Sequence, residues 1–182
     1  SKVIDLDASV ATNLKKIASA LGKKVPDLTV IVLDRDRHAG LIAEIRKAGA
    51  KVRLITDGDV AAALATCIPG SGIDVLMGIG GSTEAVLAAV AIKILGGEIM
   101  CRFKPQDDHH AGLLKKHSLN DKKVYCAEDL AKGKDLTFTA TGVIDGPLLD
   151  GVRYSNGDII THSLVIRGQT ETMRYITTHH RR

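Results

Sequence analysis

Three short polar clusters in this chain could do chemistry: Arg35-Asp36-Arg37, Asp57-Gly58-Asp59 and Gly80-Gly81-Ser82-Thr83-Glu84. Arg35 and Arg37 stand one residue apart, in an extended segment or on a turn, and either could grip a phosphate with a fork of donors. The plainer role for them is a helix-start charge pair with Asp34 and Asp36. Asp57 and Asp59 flank a glycine after a strand. They could accept hydrogen bonds from sugar hydroxyls or cap the next helix, and capping accounts for one of them more easily than for both. In the third cluster, Gly80 and Gly81, together with Gly78, remove side chains where the chain must turn and where a ligand can approach the backbone. Ser82 or Thr83 can cap the helix that follows. The free N–H groups at that helix end attract anions, phosphate above all. Glu84 puts a carboxylate at the same spot, which a bridging cation would make comfortable. Mg²⁺ and Mn²⁺, which take oxygen ligands, suit it. The alternative is an ordinary strand–glycine–helix turn whose acidic residue is favoured by the helix dipole. One carboxylate is too few to hold such an ion tightly, and no Ser or Cys sits in a recognisable nucleophile elbow.

The elements that must carry these clusters follow from hydrophobic periodicity. Val10, Leu14, Ile17, Ala18 and Leu21 recur at helical spacing, after Asp7 or Ser9 as cap and before Gly22 as stop. Residues 28–33, 51–55 and 74–77 are apolar or β-branched runs and read as strands. Helices are expected up to Lys47, over 60–67 and over 83–95, the last apolar nearly all round and so expected to be buried. Three strand–helix alternations predict a parallel or mostly parallel sheet with helices on both faces. Ligands bind such sheets at the carboxyl ends of the strands. All three clusters fall there. Further on, 98–103 reads as a strand and 127–131 as a small helical turn. Residues 136–143, 159–166 and 172–176 look like antiparallel strands, with turns at Asp145-Gly146-Pro147 and Ser155-Asn156-Gly157-Asp158. The Asp107-Asp108-His109-His110 cluster reads as a solvated loop or helix start, since no partner spacing supports a metal site. His162 lies inside a strand as a packing residue. The fold class is α/β: a mostly parallel sheet with helices on both faces, followed by antiparallel strands.

Composition narrows the function classes. The chain has 182 residues, enough for one domain, and is 45% hydrophobic. Aromatics make up only 3% and Trp is absent, which removes the stacking platforms of single-strand nucleic-acid binders. The net charge of +4 suits anionic substrates as well as nucleic acid and does not choose between them. The 3 cysteines, Cys67, Cys101 and Cys126, show no zinc or disulfide spacing, so reduced thiols in a cytoplasmic protein are expected. No stretch has the length of a membrane span. The opening Ser1-Lys2-Val3-Ile4-Asp5-Leu6 lacks Met and runs straight into structured sequence, as in a segment of something longer.

Three segments then resemble one family. Residues 45–60, from Ile45-Arg46-Lys47 through Thr56-Asp57-Gly58-Asp59-Val60, and residues 74–84, which contain Gly78-Ile79-Gly80-Gly81-Ser82-Thr83-Glu84, look like the class II (GlpX-type) fructose-1,6-bisphosphatases. These include the bifunctional fructose/sedoheptulose bisphosphatases. Thr161-His162-Ser163-Leu164-Val165-Ile166-Arg167 is similar to the family's last block. The resemblance runs over essentially the whole chain but only the C-terminal half of the family's usual length. It implies a single sugar-phosphate-binding domain with the lithium-sensitive sugar-phosphatase fold, whose N-terminal catalytic metal domain lies outside this chain. It also implies hydrolysis of the 1-phosphate of fructose 1,6-bisphosphate by a water activated by Mn²⁺ or Mg²⁺, with this chain inactive alone. Sedoheptulose 1,7-bisphosphate is a related substrate, and gluconeogenesis the setting. Carried over by position, the substrate contacts fall on Arg35, Asp36, Arg37, Asp57, Gly58, Asp59 and Gly81, and the metal ligand on Glu84. The implied partners are the sugar phosphate, the missing N-terminal domain and further copies of the chain, with no nucleic acid and no membrane. Two departures stand out. Asp36 replaces the family's usual Pro, and Thr83 and Ala85 replace the Pro and last Gly of its glycine turn. Two other readings stay open: a sugar-phosphate sensor or assembly domain without catalysis, and a dinucleotide-binding domain, for which Gly78-x-Gly80 fits but the acid expected at the next strand's end does not.

Overall fold

The computed structural model describes residues 3–181. Ser9 accepts a hydrogen bond from the Thr12 N–H and opens helix α1 (Val10–Ala20). Strand β1 (Thr29–Leu33), helix α2 (Ala39–Lys47), strand β2 (Lys51–Ile55), helix α3 (Asp59–Ala65), the two-residue strand β3 (Val75–Leu76) and helix α4 (Ser82–Ile94) follow in order. β1 is central, and both neighbours pair with it in parallel: Thr29 to Leu33 face Lys51 to Ile55, and Val30 and Ile31 face Val75 and Leu76. Asp74 ties the start of this sheet together. Its carboxylate accepts the Thr29 N–H at 2.8 Å and pairs with Lys23 just past α1.

Side chains alternate along β1, and each face has its own partners. Val30 and Val32 pack with Leu14 and Ile17 of α1 and Ile42 and Ile45 of α2. Ile31 turns to the other face, against Ala62 and Ala65 of α3. The alanine-rich α3 is thin enough to lie between two layers. Ala63 meets Ala88 and Ile92 of α4, and Leu64 joins a separate cluster with Phe138, Leu164 and Ile166.

That cluster belongs to a second sheet. Strands β4 (Met100–Cys101) and β5 (Tyr125–Cys126) form a small antiparallel pair, with helix α5 (Asp108–Lys116) between them and helix α6 (Ala127–Leu130) after them. Strands β6 (Thr137–Thr141), β7 (Arg153–Ser155), β8 (Asp158–Arg167) and β9 (Thr172–His180) form an antiparallel sheet centred on β8. The layers thus run α1 and α2, parallel sheet, α3 and α4, antiparallel sheet. Lys93 ties α4 to α6 and the loop after it: its ammonium reaches Glu128 at 2.6 Å and the carbonyls of Ala131 and Gly133 at 3.0 Å. Among the described residues no helix is long and apolar enough to cross a membrane.

The α/β architecture expected from the sequence is present, with local corrections. The strand expected over 98–103 shrinks to β4, because Glu98 and Arg102 turn instead to the start of the chain. Glu98 accepts the Val3 and Ile4 N–H groups, and Arg102 forms a two-pronged pair with Asp7 at 2.8 and 2.9 Å. α4 is not buried all round. Its second half packs between the sheets, whereas Val86 and Leu87 in its first half are 41% and 52% exposed. Asp107 caps α5, so the Asp107-Asp108-His109-His110 cluster is a helix start. His162 stacks on Tyr175 and accepts the Asp150 N–H at 3.2 Å, as a packing residue would.

Leu164 has no exposed surface and joins β8 to the helical layer. Leu164→Ala should destabilise the chain by about 2–5 kcal/mol, read as a lower urea midpoint with an unchanged slope.

Candidate functional site

The parallel register places the ends of β1, β2 and β3 side by side, and the three polar clusters occupy that edge. Arg35 stays extended, at φ −142° and ψ 143°, and Asp36–His38 then make one tight 3₁₀ turn into α2. The Arg35 guanidinium folds onto the Asp34 carbonyl at 2.9 Å and, among the described residues, makes no hydrogen bond to the other clusters. Arg37 reaches across to the glycine turn, its Nη2 donating to the Ile79 carbonyl at 2.9 Å. Arg35, Asp36 and Arg37 are all exposed.

Gly58 forms the entry to α3 in the left-handed region, at φ 84°, a conformation that favours glycine. Neither neighbouring aspartate caps that helix through its side chain. Asp57 accepts the Gly58 N–H at 2.8 Å and Asp59 the Val60 N–H at 3.0 Å. Capping therefore explains neither residue. The Asp59 carboxylate lies against Gly80, where a Cβ would collide with it.

Gly81 is the entry residue of α4, and no side chain caps that helix. Ser82 is its first helical residue, and the Thr83 hydroxyl donates to the Glu84 carboxylate at 2.7 Å. The cap expected from Ser82 or Thr83 is thus absent, because Glu84 draws the Thr83 hydroxyl to itself. Glu84 curls back over Gly81, leaving no room there for a side chain. The backbone N–H groups of Gly80, Gly81, Ser82 and Thr83 have no hydrogen-bond partner among the described residues. Unpaired N–H groups at the head of a 13-residue helix are suited to an anion.

Three carboxylates share this edge and act on one another. Burial pushes the Asp59 carboxyl above its usual range, and the negative charges of Glu84 and Asp57 push it further. Glu84 is held below its usual range by the Thr83 hydroxyl and by its own backbone N–H, against the opposing charge of Asp57. Among the described residues no group of 3 or more His, Cys, Asp or Glu side chains has the geometry to hold a metal ion. Glu84, the metal ligand expected from the sequence, has no such group of ligands around it among the described residues.

His38 is a member of this edge that its position in the sequence does not reveal. It is 1% exposed and bridges Leu33 and Ile79. A polar ring after a charge run looks like part of a solvated turn, and only its fit beneath Gly78 shows otherwise. Glu98, the acid nearest the place a dinucleotide-binding unit requires, is taken up by the Val3 and Ile4 amides. A hollow between Lys23, Cys67 and the 69–73 loop lies at the opposite end of the sheet, away from all three clusters.

These features define an α/β domain with unpaired backbone N–H groups, arginines and carboxylates gathered at the carboxyl ends of its parallel strands. The family described as bacterial fructose-1,6-bisphosphatase, glpX-encoded, matches residues 1–180, and the chain belongs to it. Its relatives include the D-fructose 1,6-bisphosphatase class 2/sedoheptulose 1,7-bisphosphatase of Synechococcus sp. (strain JA-3-3Ab), 42% identical over 190 residues. The Synechocystis sp. protein of the same description is 40% identical over 190 residues. In both cases the match covers 97% of this chain and 55% of the relative, so the chain spans about half the length of those proteins.

Two predictions follow from this geometry. Arg35 already has the backbone angles that a residue before proline must adopt, and the Asp36 N–H has no partner among the described residues. Asp36→Pro, at the first position of the turn, should therefore stabilise the chain by about 0.4–1 kcal/mol, measured by urea unfolding. A loss of stability would show that the turn needs the aspartate. For Asp59, a carboxyl pKa raised by folding means that the folded state favours the protonated acid. That contribution is present at low pH and is lost as pH rises through the raised value. Asp59→Asn should raise Tm at pH 7 by about 1–3 °C, and the gain should vanish below the ordinary carboxylate range.

Proposed function

We propose that this chain is the C-terminal, sugar-phosphate-binding part of a metal-dependent sugar bisphosphatase. The reaction is hydrolysis of the 1-phosphate of fructose 1,6-bisphosphate, with sedoheptulose 1,7-bisphosphate as a second substrate. One observation carries the reading. The unpaired N–H groups of residues 80–83, the Arg35 and Arg37 guanidiniums and the Asp57, Asp59 and Glu84 carboxylates share one strand edge. Donors of both kinds suit the phosphate, the aspartates suit sugar hydroxyls, and the acids explain why a cation belongs beside the anion. The names of the relatives support the same substrates.

In this reading Arg35 and Arg37 neutralise and orient a phosphate, and Gly81 lets it approach the backbone. Asp57 and Asp59, fixed on either side of Gly58, accept from ring hydroxyls. Glu84 contributes one oxygen to a Mg²⁺ or Mn²⁺ whose other ligands come from the remainder of the protein. The ion would supply an activated water and charge neutralisation at the phosphoryl oxygens. The complementary half also covers Val86 and Leu87, and the working enzyme is a cytoplasmic homo-oligomer.

Calorimetry with fructose 6-phosphate tests the binding role. Arg35 is free of the glycine turn, so Arg35→Ala should weaken binding about tenfold or more and leave Tm unchanged. Arg37→Ala should lower both affinity and Tm, because it also releases the Ile79 carbonyl. Phosphate release from fructose 1,6-bisphosphate with Mn²⁺ tests the division of labour. The 182-residue chain should release none until the complementary half is added. Robust release by the chain alone, abolished by Glu84→Gln, would falsify that division.

A further inference from the structure

His38 is the one fully buried imidazole at this edge, and no role has been given to it. Its two ring nitrogens face opposite kinds of partner. Nδ1 lies 2.7 Å from the Leu33 carbonyl at the end of β1, and Nε2 lies 2.8 Å from the Ile79 N–H. A carbonyl only accepts and a backbone N–H only donates, so the ring must carry its proton on Nδ1 and leave Nε2 bare. The preceding residue holds the next peptide unit: Arg37 Nη2 donates to the Ile79 carbonyl, in the Ile79–Gly80 peptide, at 2.9 Å. Both polar groups of Ile79 are therefore held by consecutive residues of one 3₁₀ turn. Gly78, at φ 148°, lies flat on the ring, where a Cβ would stand only 3.2 Å from Cε1 and Nε2.

We propose that His38 is a positioning residue for the anion-binding turn. In its Nδ1–H form alone it fixes the Gly78–Ile79 peptide, and through Ile79 the direction of the unpaired N–H groups of Gly80 to Thr83. The inference rests on the reading of those N–H groups as phosphate donors. It assigns to a buried neutral side chain, outside every polar cluster the ligand can touch, control over how well the ligand is held. The bond to Leu33 anchors the ring to the sheet, and the bond to Ile79 transmits that anchor to the turn.

The two bonds can be separated by substitution in the 182-residue chain. Asn at position 38 can reach the Leu33 carbonyl but falls short of Ile79. Gln can bring its Oε1 to the Ile79 N–H but gives up the anchor geometry of Nδ1. The probes are inorganic phosphate and fructose 6-phosphate, followed by calorimetry. His38→Gln should keep affinity within about threefold, and His38→Asn should lose about tenfold or more, with similar losses of Tm. An Asn variant that binds as well as the Gln variant overturns the proposal. If the Asn variant does not fold, Gly78→Ala takes its place. It should displace the Ile79 N–H resonance and weaken both probes, and unchanged binding with a displaced resonance counts against the proposal. Long-range ¹H–¹⁵N spectra of the ligand-free chain should show Nδ1 protonated and Nε2 bare. The opposite or an averaged tautomer overturns the proposal whether or not a phosphate binds. Should the wild-type chain bind neither probe, the phosphate reading of the turn fails separately, and the imidazole spectrum still decides whether His38 holds it.

Discussion

Everything at the candidate site depends on the register of three parallel strands. β1 pairs with β2 over its full length and with β3 over two residues. This brings three segments, separated by 20 or more positions in the sequence, to one edge of the sheet. The β3 pairing is short, and strand hydrogen bonds alone would fix the glycine turn poorly. The side chains of the 36–38 turn make up the difference by holding the two peptide units that flank the Ile79 Cα. The sheet supplies the meeting place, and these two hydrogen bonds supply the alignment.

The electrostatics of the edge are unbalanced. Arg37 spends one of its donors on the backbone, and Arg35 spends one on its own neighbour. The carboxylates of Asp57, Asp59 and Glu84 share this edge with no salt-bridge partner among the described residues, and burial first, then the charges of Glu84 and Asp57, lift the Asp59 carboxyl. Such an edge gains from a ligand that brings negative charge to the N–H groups and positive charge to the acids. A phosphate accompanied by a divalent ion has that composition. For a dinucleotide, Glu98, which would have had to receive its ribose, is already engaged.

Much of this was legible in the sequence. The alternation of β-branched runs with helical periodicity located β1, β2, α3 and α4 within a residue or two, since local pattern and global packing agree there. The strand-end rule then collected the three clusters. Three things were not legible. The exposure of Val86 and Leu87 was hidden, because an apolar helix gives no sign of where its cover ends. The absent cap on α4 was hidden, because Thr83 has a choice of acceptors and the preference for Glu84 appears only in three dimensions. The role of His38 was hidden too, because its partners are backbone atoms, which carry no residue identity.

α4 is held in an uneven way that has a mechanical consequence. Lys93 and the packing between the two sheets grip its far end, whereas its first turns stand clear of the core. A 13-residue helix is about 20 Å long. It is held by packing from Ala88 onward, and Glu84 lies about one turn beyond that support. A load placed on the Glu84 end, such as a cation shared with another domain, would pass to the turn before it and to the two peptide units that flank Ile79.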